Sequence, residues 1–252
     1  MYTEYAGCTL PAPETKLWRY MDLTKLLALI STQTLRFTNV IEFEDPYEGY
    51  IPIKSVKHIK SQMMFKRPTD KQNTLLALKQ RKLYEKLAKQ FYGHCFVNCW
   101  HKNEDQSAAM WKLYLSANEG VAIQTTLQRL QDSFDCTRHD IQMGEVKYID
   151  FDKLERDRLF FLQEALLMKR RSFKHEEEFR AMFVDYKKQK DKDGEFLAGH
   201  DIECHPDVLI EQIYLAPTCP SWIKKIVESV LERYGITNKP VVQSNLYQGP
   251  VR

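Results

Sequence analysis

The 252-residue chain has no apolar run approaching the roughly 18 residues that a membrane-spanning helix needs, so no membrane partner is expected. Its opening, MYTEYAGCTLPAPETKLW, lacks a basic region followed by an apolar core, so a cytoplasmic location is expected. Neither sign of charge is in excess: 37 Lys and Arg stand against 34 Asp and Glu, a net +3, too balanced to argue for nucleic acid by bulk charge. The six cysteines, at 8, 95, 99, 136, 204 and 219, are scattered through a chain large enough to bury a core, and they read as reduced thiols. His94, Cys95, Cys99 and His101 do not have the spacing of a zinc site; alternation along a strand accounts for them, and no metal is expected. Repeats, low-complexity segments and linker-like stretches are missing, which leaves one domain. No standard catalytic motif is present, so no signature fixes a reaction.

What is present is an ordinary globular composition, 43% hydrophobic and 28% charged. Residues 1–17, with Pro11 and Pro13, read as an extended arm, followed by a single domain over 18–252. Asp22 is placed to cap a helix whose stripe is Leu23, Leu26, Leu27 and Ile30. Leu35 and Phe37 alternate with Arg36 and Thr38, the pattern of a half-buried strand that turns Arg36 away from the core. The loop around Asp45-Pro46 and Gly49 is acidic; it is either a solvated loop or one whose Asp45 or Glu48 holds a partner group. Helical spacing runs from 70 to 92, with Lys79, Arg81, Lys82, Lys86 and Lys89 offering a solvated face or a nucleic-acid contact. A strand over 93–100, a helix over 105–116 and a strand from Gly120 follow. The pattern then predicts a short helix after 127, a strand over 145–149 and a helix over 152–171 ending in Lys169, Arg170 and Arg171. Strands over 177–186 and 209–216, a helix from Pro220 to Tyr234 and a last strand from Val241 complete the chain. Strands and helices of uneven spacing predict an α+β fold: a central mixed or antiparallel sheet with helices around it.

The chain is organised around Asn98-Cys99-Trp100-His101 and the helix that follows, where two tryptophans, a histidine and a tyrosine fall within one strand-turn-helix unit. Trp111 and Tyr114 share a helix face; Trp111 suits the core, and the hydroxyl of Tyr114 suits a ligand. His101 is a candidate general base. Glu176, Glu178 and Arg180 line one face if their strand begins early enough.

Taken in order, Leu35-Arg36-Phe37, Phe43-Glu44-Asp45-Pro46-Tyr47-Glu48, Asn98-Cys99-Trp100-His101, Ser107, Met110-Trp111-Lys112-Leu113-Tyr114, Gly120-Val121 and the run Phe173, Glu176, Glu178, Arg180 resemble a large bacterial and phage-associated family, domain of unknown function 2971. The similarity extends to Ile213, Pro217 and Trp222. A looser likeness is to mono-ADP-ribosyltransferases, whose split sheet carries an early-strand basic residue, a middle polar element and a late-strand glutamate. Arg36, Asn98 to Trp100, and Glu178 fall in that order, although Val97-Asn98-Cys99 stands where that group has Ser-Thr-Ser. The likeness implies NAD as a substrate and a toxin or antiphage role. It also implies Glu178, Glu176, Tyr114 and His101 as catalytic residues, and Arg36, Asn98, Trp100 and Arg180 as nucleotide-binding residues. The other class of function is a non-catalytic module that binds nucleic acid or protein. Oligomeric state is open.

Overall fold

The structure, a computed structural model, describes residues 2–4, 10–49, 86–114, 119–153, 162–187 and 194–249. Most of the predicted 70–92 helix, with Lys79, Arg81 and Lys82, lies outside the described residues; 86–92 is helical.

Among the described residues the architecture is α+β around one mixed sheet of ten strands. Its strands are β1 (Tyr2–Glu4), β2 (Lys16–Asp22), β3 (Thr34–Asn39), β4 (Cys95–Lys102), β5 (Gly120–Thr126), β6 (Ile141–Glu145), β9 (Glu178–Val184), β10 (Gly199–Glu203), β11 (Gln212–Leu215) and β12 (Val241–Gln243). The spatial order is β1-β6-β9-β4-β2-β5-β11-β12, with β3 and β10 branching off β4. The β1–β6 and β11–β12 pairs are parallel and the other pairs in this sheet antiparallel. A separate parallel pair is formed by β7 (Lys147–Ile149) and β8 (Met168–Arg170). Strand β2 takes in Lys16 and Leu17, and Leu17 is fully buried.

The sheet is split. One end of β4 pairs with β3 through Phe96 and Val97, and the other end pairs with β2 through His101 and Lys102. Between these contacts β2 and β3 diverge. Helix α1 (Leu23–Thr32) joins them and buries Leu26, Leu29 and Ile30. Asp22 caps α1 by accepting from the Lys25 amide at 2.8 Å, as its position before the apolar stripe predicts. Two side chains bridge the fork: Asn98 Nδ2 donates to the Arg36 carbonyl at 2.7 Å, and Arg19 Nη1 to the Cys99 carbonyl at 2.8 Å.

Three local expectations are corrected. The stretch ending at Arg171 is helical at Leu162–Ala165, but Met168–Arg170 is strand β8, because Lys169 is drawn to three carboxylates rather than to a helix terminus. Residues 145–149 belong to two strands in different sheets, broken at Val146. Strand β9 begins at Glu178, not earlier: Arg171–Glu176 is a 3-10 helix, and Glu177 turns the chain in a left-handed conformation at φ 39°. Glu176 therefore does not share a strand face with Glu178.

Asp22→Ala removes the α1 cap. Its expected cost is about 1 kcal/mol of stability, which lowers the thermal midpoint by roughly 2–4 °C; calorimetry of the two proteins checks this.

Candidate active site

A cavity of about 440 Å³ opens in the fork, a size typical of small-molecule sites. Arg36, Trp100, His101, Tyr114, Glu176 and Glu178 all line it. Residues from β3, β4, β9, the 3-10 segment and the Ala108–Tyr114 helix thus meet in one place, although up to 142 positions separate them in the chain (178 − 36).

Arg180 fixes one wall. It is 1% exposed, on β9 directly opposite Cys99 of β4. Its Nε donates to Glu178 Oε1 at 2.8 Å and its Nη2 to Glu178 Oε2 at 3.0 Å. The other side of the fork grips Glu48, with Nη1 at 2.8 Å and Nη2 at 2.9 Å, and Nη1 also donates to the Leu166 carbonyl. These five bonds use all five donors of a guanidinium. Arg180 has none left for a nucleotide, so its expected ligand-binding role is corrected: it is the clamp that holds Glu178.

Lys169 completes the cluster, donating to Glu176 at 2.6 Å and Glu178 at 3.1 Å, with Glu48 at 3.4 Å. Burial alone would raise the pKa of Glu178, but Arg180 and Lys169 outweigh it and hold the carboxyl down at about 2. Burial, and after it the charge of Glu178, push the Cys99 thiol well up, so it stays protonated. The Glu178 amide donates to the Tyr148 hydroxyl at 2.8 Å, which secures the start of β9. In the acidic loop, Glu48 meets Arg180 and Lys169, and Asp45 meets Arg170 at 3.0 Å, so both hold groups of this chain.

Two further nucleotide-binding expectations are corrected. Asn98 is buried and does not line the cavity; its Nδ2 is committed to the Arg36 carbonyl in the fork. Trp100 touches the cavity but is buried in the main core, with Arg19 5.8 Å over its ring, so Arg19 rather than a ligand base covers that face. Arg36 does reach the cavity, but at its exposed mouth, where it pairs with Asp201 at 3.1 Å. It lies over Gly199, where an added Cβ would come within 2.6 Å of its Nε, so only glycine leaves room for it there. Tyr114 is 47% exposed and also lines the cavity; Trp111 is fully buried, as its spacing predicts. His101 is 4% exposed, and burial lowers its pKa below the usual value despite the nearby glutamates.

Arg19 is the residue that sequence reasoning missed. It lines the cavity from β2, and its only described hydrogen bond is to the Cys99 carbonyl, with no carboxylate partner among the described residues. Burial opposes its charge, yet a guanidinium stays protonated. The signal was a single charge inside the apolar run Leu17-Trp18-Arg19-Tyr20-Met21. No described group of His, Cys, Asp and Glu is arranged to hold a metal ion, and no described helix is long and apolar enough to cross a membrane.

No family model matches the chain, and no curated protein matches it either. Among solved structures, it is similar to DarT of Thermus sp. 2.9. The complex with NAD+ aligns at 10% identity over 94% of this chain and 98% of that one, with a TM-score of 0.41. The complex with carba-NAD+ aligns at 10% identity over 93% and 96%, TM-score 0.37, and that with ADP-ribosylated ssDNA at 10% over 94% and 96%, TM-score 0.36. A likeness this distant carries no argument about activity.

Arg180→Met leaves Glu178 and Glu48 buried without their main partner. A loss of about 3–5 kcal/mol is expected by denaturant titration. The pH dependence follows from Glu178. Its folded-state pKa is depressed to about 2 from an ordinary 4.5, so its stabilisation is complete above pH 4.5 and is lost as pH falls toward 2. Urea unfolding between pH 6 and pH 2 should show stability declining across that window.

Proposed function

We propose that the cleft breaks the N-glycosidic bond of an NAD-type nucleotide, and that the chain is a glycosyl- or ADP-ribosyl-transferring enzyme. The observation that carries this is the presence of an ionised carboxylate, Glu178, and a guanidinium without a carboxylate partner among the described residues, Arg19, on the walls of one cavity. Cleavage of an N-glycosidic bond builds positive charge on the ribose. A carboxylate already ionised and locked in place stabilises that charge without having to reorganise. Arg180 and Lys169 serve this by keeping Glu178 charged and oriented.

Arg19 takes the nucleotide-binding role expected of Arg36 and meets a phosphate, because no carboxylate among the described residues occupies its planar fork. Arg36, with Asp201, stands at the mouth, where a second substrate enters. A ribose hydroxyl donates to Glu178 from the cavity side. Tyr114 closes the rim.

The test is a thermal-shift series with NAD+, ADP-ribose and single-stranded oligonucleotides at two salt concentrations. NAD+ or ADP-ribose should raise the midpoint. Arg19→Met should weaken that response by about 10- to 100-fold in Kd, the worth of a charge-assisted hydrogen bond. Glu178→Gln should abolish nicotinamide release and any growth inhibition the wild type causes. Circular dichroism must show it folded, because it loosens the Arg180 clamp. A protein that ignores both nucleotides and responds to oligonucleotides in a salt-dependent way is a binding module instead.

A further inference from the structure

His101 lies on β4 directly across from Glu178 on β9. Opposed residues of an antiparallel pair share a face, so imidazole and carboxylate stand side by side on the wall of one cavity. The His101 Nδ1 is 2.6 Å from the Glu176 carbonyl oxygen. A carbonyl only accepts, so Nδ1 carries a proton, and in the neutral ring Nε2 is left with a bare lone pair. That nitrogen is shielded from solvent and has no partner among the described residues. Asn98 Oδ1 and Trp100 Nε1 nearby also lack a partner among the described residues, but of the three only Nε2 can take up a proton. The titratable groups facing the ring are Glu176, Glu177 and His175 on the segment before β9, Glu178 beside it and Tyr20 on β2, with ring centroids 6.1 Å apart. Burial outweighs the glutamates, so the ring is neutral at pH 7.

We propose that His101 is the general base for the acceptor half of the reaction, and that the acceptor is therefore a neutral O–H or N–H nucleophile rather than a preformed anion. This rests on the reading of the cleft as a glycosyl-transfer site. In the step, the acceptor proton passes to Nε2, and the acceptor lone pair forms the new bond to the ribose anomeric carbon. The bond from that carbon to the nicotinamide nitrogen breaks, and its electron pair leaves with nicotinamide, which departs neutral. Glu178 stabilises the ribose cation while His101 delivers the nucleophile. The Nδ1–H bond to the Glu176 carbonyl holds the ring in the tautomer that the step needs.

Water serves as the simplest acceptor, so the assay is nicotinamide release from NAD+. His101→Asn keeps an amide N–H for the Glu176 carbonyl and deletes Nε2. NAD+ affinity should stay within about twofold while turnover falls by about 10²- to 10⁴-fold, the usual contribution of a general base. In the wild type, kcat/KM should lose activity through a single protonation below pH 6.5, and that limb should vanish in the variant. Nitrogen NMR of histidine-labelled wild type should show Nδ1 protonated and Nε2 bare, a readout that stands even if the variant does not fold. A variant that turns over like the wild type, a persisting acid limb, or an Nε2–H tautomer overturns the base role alone. A wild type that releases no nicotinamide overturns the reading of the cleft, and the base role with it.

Discussion

A guanidinium keeps its charge at any pH a folded protein meets, so Arg180, buried in the centre of the sheet, has to be matched donor by donor. Glu178 comes from its own strand, Glu48 from the loop after β3, and the Leu166 carbonyl from the turn before β8. Each partner must arrive in register for the charge to be tolerated. The clamp therefore specifies how the 40–49 loop and the β7–β8 pair lie against the sheet. Lys169 ties the same carboxylates from β8 and brings in Glu176. The interactions that make a buried cation acceptable also leave one carboxylate ionised and fixed beside a cavity.

The second constraint is the split between β2 and β3. A continuous sheet would pair the middle of β4 on both edges and leave no room for a ligand. Here α1 forces β2 and β3 apart, and the Asn98 and Arg19 side chains bridge the gap in place of ladder hydrogen bonds. The opening is polar at its edges and apolar beneath, since Trp100 and Phe96 belong to the main core. The opposite face around Cys99 and Val97 belongs to a smaller cluster. The cavity sits at the seam where the sheet's hydrogen bonding is interrupted.

Much of the fold could be read from local pattern. Strand β5, the Asp22-capped α1, the Ser221–Arg233 helix ended by Gly235 and the alternation of Leu35 and Phe37 all follow from spacing and capping. The expectation failed where a charged side chain had a distant partner. Lys169-Arg170-Arg171 looked like the basic end of a helix, but Lys169 answers carboxylates at 48, 176 and 178, and Arg170 answers Asp45. The site was half legible: polar groups at strand ends beside aromatics pointed to Arg36, His101, Tyr114, Glu176 and Glu178, which do line one cavity.

The sequence by itself determined the period of each well-formed element, the caps and breaks that bound them, and which residues were chemically suited to a site. Hydrogen bonding and burial along one helix or strand are local, so their imprint is local too. Only the tertiary structure decided which of those residues are free to act. Arg180 and Arg36 are equal in the sequence to Arg19, yet one is spent on Glu178 and Glu48, the second on Asp201, and the third has no carboxylate partner among the described residues. Glu48 and Arg180 are 132 positions apart. Whether a charge is consumed by such a partner depends on three-dimensional distance and on desolvation, and neither is written in the spacing of residues along the chain.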